Sequence, residues 1–381
     1  MLAKSIQATT SEEIKIQLEN CIADGFNPTL AFVFLSALDE LKNVINLLDA
    51  EDIAIFGATT SGEFTDKGVE NKSIAILLMD ANPDYFKIVL TDNNNSSPEE
   101  TAYLAGQIGK KTFSNPAFIV SVSYFKTPGE SIIKGFVDSV GEDVTIIGGY
   151  SGDLETYEGN VFTNNRSSNY GLLTLILDQD KIDVKGEAVS GWKSMGTKKM
   201  VTETDEGWIV SIDNQPAMEM VKKYIGSENI EENSSENIIK LNTTYPLQVD
   251  RDGDSPILIP PLQFNTENSS VLCGQPIKEG TTFRFSLPPD FDVIDNVIES
   301  CRIKKERELS EADALIVFSC VVRLMSLGPM IEEEIKGLSS IWGKPTAGFF
   351  CMGEFGRVAG GKPEFHGTTC SWVVLKEKSK K

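Results

Sequence analysis

The sequence predicts an α/β fold with α+β character, in which repeated strand–helix–strand units form two mixed-sheet domains around a shared cleft. Apolar runs of strand length alternate with stretches whose apolar residues recur at helical spacing. Two strand exits, GATTSGEF at 57–64 and GFFCMGEF at 348–355, share one frame of Gly, four residues and Gly-Glu-Phe. This recurrence predicts an internal repeat. The 381 residues suit two domains better than a single core.

The composition predicts a folded protein with a strongly acidic surface. Apolar residues make up 40% of the chain and the formal net charge is −21, which argues against disorder and against nucleic acid or anionic membranes as partners. The apolar runs are too short for a membrane-spanning helix, and the N-terminus lacks the apolar core of a signal peptide. The six cysteines are scattered without a C-x-x-C pair, which favours a reduced, cytoplasmic protein without a zinc module.

The first predicted unit begins with the apolar strand Leu30–Leu35, which ends at Ser36. A helix follows, with apolar residues at three- and four-residue spacing: Leu38, Leu41, Ile45 and Leu48. A strand at 53–56 then enters GATTSGEF, and Ile74–Met79 forms the closing strand. Because a helix connects the first two strands, we expect them to be parallel.

The second and third units repeat this order. The second has strands at 118–122, 144–147 and 171–177, a helix at 130–140, and the looser turn GGYSGD, with Asp153 in place of Glu. The third has strands at 314–318, 345–350 and 369–375, a helix at about 329–339, and the turn GFFCMGEF. Each unit therefore predicts a parallel strand pair that ends in a glycine-rich turn.

A different region separates the second and third units. Residues 183–213 have strand character, a turn is predicted at Asp213-Asn214 and a helix at 216–225, and the polar stretch 227–244 suggests a surface excursion. Further strands are predicted at 257–259, 270–273 and 282–286. The segment DRDGD at 250–254 predicts a hairpin turn, because its glycine placement does not match a calcium loop. We place the domain boundary between residues 185 and 215.

The Gly-acid turns are candidates for a ligand-facing edge. In open α/β sheets, ligands bind at the carboxyl ends of the strands. Gly62 and Gly353 would supply positive φ or close backbone approach, and Glu63 and Glu354 would approach one cleft from opposite sides. The alternative is that the glycines only form turns and the glutamates bond nearby amides. No phosphate-binding signature is present.

Three residues outside these turns could carry chemistry. Cys320 and Arg323 follow a strand end: the thiol could be reactive, and the guanidinium suits a ligand carboxylate. The alternative is a buried cysteine and an arginine paired with an acid. His366 is the only histidine, and it could pair with Cys320 in catalysis, bind haem iron, or serve a structural role.

These motifs together resemble the FIST family of bacterial sensor proteins. The matching stretches are FGATTSGEF, IDNQPAMEMVKKYIG at 212–226, FSCVVR at 318–323, GFFCMGEF and FHGTT at 365–369. The resemblance implies a FIST N-like domain at 1–200 and a FIST C-like domain at 201–381. The ligand-binding residues it implies are Thr60, Ser61, Gly62, Glu63, Ser319, Cys320, Arg323, Gly353, Glu354, His366 and Thr369. Gly367 departs from the family, in which Asn is common after the histidine.

The resemblance implies a stand-alone cytoplasmic sensor of a small ligand such as an amino acid or a small carboxylate. No output domain follows the last strand, so we expect a separate partner: a histidine kinase, a cyclic-di-nucleotide enzyme or a chemotaxis protein. We expect no catalysis, and no cofactor or metal. The alternatives are a haem-binding nitric-oxide sensor that uses His366, and a hydrolase that uses Cys320 and His366.

Overall fold

The computed structural model describes residues 1–70, 72–92, 96–123, 127–153, 156, 158–225 and 243–379. Mixed β-sheets flanked by helices make up this part of the chain, which confirms the predicted α/β class with α+β character. Three of the sheets share one topology, and a fourth is curled and lies within a long insertion. The predicted polar excursion at 227–244 falls almost entirely outside the described residues.

The N-terminal part of the chain builds most of sheet one and also supplies a hairpin to another sheet. Its elements are β1 (Ala3–Ala8), α1 (Ser11–Ala23), β2 (Leu30–Leu35), α2 (Leu41–Ala50), β3 (Ala54–Thr59), β4 (Glu63–Thr65), β5 (Gly68–Glu70) and β6 (Ile74–Met79). The Thr10 side chain accepts a hydrogen bond from the Glu13 N–H, which caps the start of α1.

The next part of the chain builds most of sheet two and has the same order of elements. They are β7 (Phe86–Asp92), α3 (Pro98–Thr112), β8 (Pro116–Val122), α4 (Gly129–Val140), β9 (Thr145–Tyr150), β10 (Val161–Phe162), β11 (Ser167–Ser168) and β12 (Gly171–Asp178). A reciprocal capping box between Ser97 and Glu100 fixes the start of α3.

Sheet three begins with β13 (Ile182–Val189) and resumes after the insertion. After the insertion, the chain continues with α6 (Phe291–Arg307), β22 (Ala314–Cys320), α7 (Val321–Leu327), α8 (Ile331–Trp342), β23 (Thr346–Cys351), β24 (Glu354–Gly356), β25 (Glu364–His366) and β26 (Cys370–Glu377). The insertion contains β14 (Ser194–Asp205), β15 (Trp208–Ile212), β16 (Gln215–Pro216), α5 (Ala217–Ile225), β17 (Leu247–Arg251), β18 (Asp254–Ile259), β19 (Pro261–Asn265), β20 (Ser270–Cys273) and β21 (Thr282–Ser286).

The three sheets have equivalent strand orders: β1-β6-β2-β3-β10-β11, β7-β12-β8-β9-β24-β25 and β13-β26-β22-β23-β4-β5. In each, the two strands joined by a helix are parallel, as predicted. Each sheet ends with a hairpin that comes from another part of the chain. Hairpin β4–β5 completes sheet three, β24–β25 completes sheet two, and β10–β11 completes sheet one. The chain therefore exchanges hairpins in a closed cycle.

The inner faces of the three sheets share one apolar core. It contains Phe34 of β2, Ile119 of β8 and Phe349 of β23, together with many neighbours from all three sheets. The outer faces are covered by helices: α1 and α2 on sheet one, α3 and α4 on sheet two, and α6 and α8 on sheet three. Burial on both faces explains why the central strands are continuously apolar in the sequence.

The insertion forms a curled antiparallel sheet with the order β18-β17-β21-β14-β15-β20-β19. Strands β17 and β18 pair as an antiparallel hairpin, which confirms the turn predicted for DRDGD. Asp213 and Asn214 both have positive φ, at 50° and 60°, in the predicted turn between β15 and β16. The core of this sheet is continuous with that between sheet two and its helices.

Candidate functional site

The glycine-rich turns that follow β3, β9 and β23 meet inside the molecule. The Phe350 N–H donates to the Gly62 carbonyl at 2.9 Å, and the Tyr150 N–H donates to the Gly353 carbonyl at 2.9 Å. The Ser61 hydroxyl donates to the Gly152 carbonyl at 2.7 Å. The three turns are therefore bonded to one another, and their backbone groups are satisfied within the protein.

Glu63 is fully buried and accepts hydrogen bonds from the ends of three strands of sheet one. Its carboxylate accepts from the Ser36 hydroxyl after β2, from the Thr60 hydroxyl after β3, and from the Ser73 N–H and hydroxyl before β6. Burial raises the pKa of Glu63 to about 7, against the lowering effect of these hydrogen bonds. The carboxylate is thus occupied by protein donors.

Glu354 has the equivalent place in sheet three. Thr369, before β26, donates to its carboxylate through N–H at 3.1 Å and hydroxyl at 2.7 Å, and the Cys351 thiol donates at 3.2 Å. Burial raises the pKa of Glu354 to about 7 as well. The two matching glutamates therefore have similar structural roles: Glu63 joins three strand ends, and Glu354 joins the ends of β23 and β26.

The turn glycines have the backbone geometry that the sequence indicated: φ is +130° at Gly62 and +152° at Gly353. We expect Gly353→Ala to lower the free energy of unfolding by about 2–4 kcal/mol, because the added Cβ combines an unfavourable φ with a close contact. That Cβ would lie 2.7 Å from the Phe365 ring. The matched control is Gly207→Ala, where φ is +88° and the Cβ meets open space. Urea denaturation of both variants tests this, and equal losses would contradict it.

Arg323 is fully buried and its donors are used inside the protein. Its guanidinium forms a bidentate ion pair with the buried Glu334 of α8. It also donates to the Ser190 carbonyl at 2.6 Å, and its face lies 5.1 Å from the Trp192 ring. Arg323 could therefore clamp a ligand carboxylate only by releasing Glu334, whose charge would then be buried without a partner.

Cys320 and His366 are buried as well, and among the described residues no hydrogen bond joins them. Burial raises the pKa of the Cys320 thiol well above its usual value and lowers the pKa of His366 to about 4. The thiol and the imidazole are therefore both neutral at pH 7, which is unsuited to a catalytic Cys–His pair.

His366 does not fit haem in this arrangement. Its Nε2 has no hydrogen-bond partner among the described residues, so the donor atom itself is free. However, the residue is only 2% exposed, which leaves no space beside the ring for a porphyrin. The buried position of its imidazole in the short β24–β25 hairpin favours a structural role for His366.

A large concave site lies elsewhere, between the start of α4 and the insertion sheet. This cleft has a volume of about 810 Å³. Its apolar lining includes Val249, Ile257, Ile259, Ile277, Met352 and Phe365, and its polar lining includes Thr127, Glu130, Arg251, Gln275, Lys278 and Thr281. None of the eleven residues predicted from the sequence lines it, although Met352 and Phe365 are neighbours of Gly353 and His366.

The start of α4 supplies one side of the cleft's polar lining, opposite the polar residues of the insertion. No side chain caps this helix, which begins at Gly129 after Pro128. The Thr127 hydroxyl is buried and has no hydrogen-bond partner among the described residues. Glu130 and Lys278 are exposed and contribute charges of opposite sign. The cleft therefore combines an apolar floor with one unpartnered hydroxyl, a helix start that no side chain caps, and side chains of both charges.

Two family models match the chain in sequence order. The FIST N domain matches residues 29–215 and the FIST C domain matches residues 217–357. The chain belongs to the FIST family. FIST domains are sensor domains of signal-transduction proteins that bind small ligands. No curated protein matches the chain. In the described part of the chain, no helix is long and apolar enough to cross a membrane.

The cleft lies between the two FIST regions. Thr127 to Glu130 belong to the part matched by FIST N, and most of the other lining residues belong to FIST C. Tyr150 of β9, an interior residue, contacts two residues that line the cleft. The Tyr150 hydroxyl donates to the Thr127 carbonyl at 2.7 Å, and the Tyr150 ring lies 5.4 Å from that of Phe365. Sheet two thus positions both the polar end and part of the floor.

Sequence analysis missed the lining residues of the cleft. Thr127 and Gly129 follow a strand that was predicted, so the carboxyl-end rule for α/β sheets could have indicated them. Arg251 lies in DRDGD, where only the turn was recognised, and its guanidinium pairs with Glu364 at 3.1 Å. Lys278 belongs to no motif.

Gly367, where Asn is common in the family, lies too close to the insertion sheet for a side chain. An added Cβ at Gly367 would lie 2.5 Å from the Leu258 carbonyl.

Proposed function

We propose that this FIST protein senses a small ligand that carries a carboxylate, such as an amino acid, in the cleft between α4 and the insertion sheet. The observation that carries the proposal is the uncapped start of α4 beside the unpartnered Thr127 hydroxyl, within a cleft that also holds Lys278. Free N–H groups at a helix start and a nearby ammonium favour an anionic group.

The remaining lining residues suit the rest of such a ligand. Glu130 offers a carboxylate for a ligand ammonium, and Ile257, Ile259 and Phe365 offer an apolar surface for a side chain. The volume of about 810 Å³ exceeds that of a single amino acid, so bound water or a longer ligand would fill the remainder.

We infer that the protein acts by binding and not by catalysis, and that it works in the cytoplasm. The neutral, buried states of Cys320 and His366 support the first point. The six cysteines are all unpaired, which supports a reducing compartment. The membership in a sensor family supports a separate signalling partner, for which we propose a histidine kinase, a cyclic-di-nucleotide enzyme or a chemotaxis protein.

A thermal-shift screen of the twenty amino acids and of short-chain carboxylates tests the ligand proposal. A ligand that binds should raise the melting temperature with the logarithm of its concentration above Kd. We expect Thr127→Val to weaken that ligand about 5- to 50-fold and Lys278→Gln to weaken it by a similar factor, because each removes one donor to the carboxylate.

The matched control is Lys110→Gln, an exposed lysine in the last turn of α3 that does not line the cleft. This variant should leave the affinity unchanged. The proposal fails if none of the screened compounds shifts the melting temperature. It also fails if Thr127→Val and Lys278→Gln bind a hit as tightly as the control does.

A further inference from the structure

The outer strand of sheet two has an open edge that faces a groove. β7 pairs with β12 on one side only and is the last strand of its sheet. The groove has a volume of about 510 Å³, and the consecutive residues Phe86–Leu90 form one of its walls. Ala54 and Ile55 of β3 and the turn at 163–166 form the opposite wall. The edge is therefore recessed between two elements.

The hydrogen-bond register shows which backbone groups point into the groove. The Gly171 N–H and carbonyl bond to Ser123, so Gly171 faces β8, and alternate β12 residues such as Thr174 and Ile176 face β7. Their partners Val89 and Lys87 are thus bonded inward, while Phe86, Ile88 and Leu90 point outward. The Leu90 carbonyl accepts from Arg166 at 2.9 Å, in agreement with this assignment.

The outward groups of Ile88 have no partner among the described residues, although the neighbouring Leu90 carbonyl is bonded to Arg166. Single backbone groups are bonded in the same way on comparable edges. On β1, the Gln17 amide donates to the Gln7 carbonyl at 2.9 Å. On β13, the Ala188 N–H donates to the Arg357 carbonyl at 2.7 Å. Across the groove, the Asn164 amide bonds both the Ile55 N–H and the Ile53 carbonyl. The β7 edge is left available for an added strand.

We propose that this groove binds an extended segment of a partner protein, which adds to sheet two as a strand beside β7. Phe86–Leu90 offers about 14 Å of edge, enough for a segment of four or five residues. Arg166 is already paired with Asp92, but Lys87 lines the groove without an ion-pair partner among the described residues, in a chain whose net charge is −21. The segment should therefore carry an acidic residue opposite Lys87. The site is independent of the ligand cleft.

Two features favour a partner's flexible segment over a second copy of this chain. The edge is recessed behind the 163–166 turn, so a single extended strand can enter where a folded sheet edge would meet this wall. Lys87 is exposed on the edge, and an edge lysine discourages sheet-to-sheet pairing of identical chains. Completion of a sheet by a segment from elsewhere is also a general feature of this fold, because each of its three similar sheets takes a strand pair from another part of the chain.

A display library of random twelve-residue peptides, selected on the full chain, tests the proposal. We expect enriched peptides that alternate β-branched or aromatic residues with polar ones, include Asp or Glu, and bind with Kd of about 1–100 µM. Ile88→Pro should weaken binding about tenfold, because it removes an outward N–H that sheet two does not use. Lys87→Glu should weaken binding about threefold to tenfold, and less at high salt.

Lys110→Glu is the control for Lys87→Glu and should leave binding unchanged. If Ile88→Pro fails to fold, amide exchange of the unmodified chain decides: a bound peptide should slow exchange at Ile88 and leave Lys87 and Val89 unchanged. The proposal is overturned if no peptide is enriched, or if binding is insensitive to both variants and to this exchange pattern. A concentration-dependent dimer that Ile88→Pro abolishes would overturn it in favour of a second copy.

Discussion

Replacing Arg323 with methionine is expected to lower the free energy of unfolding by about 3–5 kcal/mol, because it leaves the buried Glu334 carboxylate without its counter-ion. The two side chains are both fully buried. The variant also removes the hydrogen bonds to the carbonyls of Ser190 and Thr368, which belong to the segments that border β13 and β26. Urea denaturation followed by tryptophan fluorescence measures the loss, and Trp192 lies directly on the guanidinium.

The double variant Arg323→Met/Glu334→Met should recover most of this loss, since it removes both buried charges and fills the space with apolar atoms. The control is Arg302→Met, which breaks an ion pair with Glu299 in which each side chain is 52% exposed. That change should cost less than about 0.5 kcal/mol. Equal effects of Arg323→Met and Arg302→Met would contradict a structural role for Arg323 and reopen the ligand-clamp hypothesis.

Raising the pH from 5 to 8 is expected to destabilise the protein through Glu63 and Glu354. Both carboxyls have a pKa of about 7 in the folded protein, above their usual value of 4.5. The folded state therefore binds more protons than the unfolded state between these values, and the free energy of unfolding falls as the pH rises through this window. At about 1.4 kcal/mol per pKa unit, the loss reaches about 3 kcal/mol per carboxyl above pH 7.

Glu63→Gln and Glu354→Gln should each flatten this dependence, because glutamine has no charge to bury. Urea midpoints measured at half-unit steps from pH 5 to 8 give the slope for each variant. Glu332→Gln is the control: Glu332 is 45% exposed, and its carboxylate forms a surface ion pair with Lys336. If the Gln variants keep the slope of the parent, these two carboxyls do not titrate in this window.

The central strands of the three sheets could be predicted from the sequence because they are buried on both faces. Runs such as Leu30–Leu35 and Ile74–Met79 agree with the structure to the residue. The outer strands are half-exposed, and Leu90 is the one buried residue of β7, so its sequence FKIVLTD gives a weaker signal. The helix α3 was missed although its capping box, Ser97 to Glu100, is legible in the sequence.

The exchange of hairpins could not be predicted, because a sequence pattern reports that a strand is buried and not which sheet it joins. The structural role of the Gly-acid turns could not be predicted for a related reason. A glutamate after Gly62 has the same local sequence whether it faces a ligand or accepts bonds from Ser36 and Ser73. The cleft residues Thr127 and Lys278 are 151 positions apart in the printed sequence, and only the fold brings them together.

The cyclic exchange of hairpins has a consequence for how the chain reaches its native state during synthesis. Of the three exchanged hairpins, sheet two needs the last to be synthesised, β24–β25, and sheet three needs the first, β4–β5. The edges of β9 and of the early hairpin therefore stay unpaired until β23 and β24 have left the ribosome. Contacts of such long sequence separation slow folding. Because hairpins are exchanged between the sheets, we expect the FIST N and FIST C regions to fold together as one cooperative unit. Their unpaired strand edges would then be exposed to aggregation during the same period of synthesis.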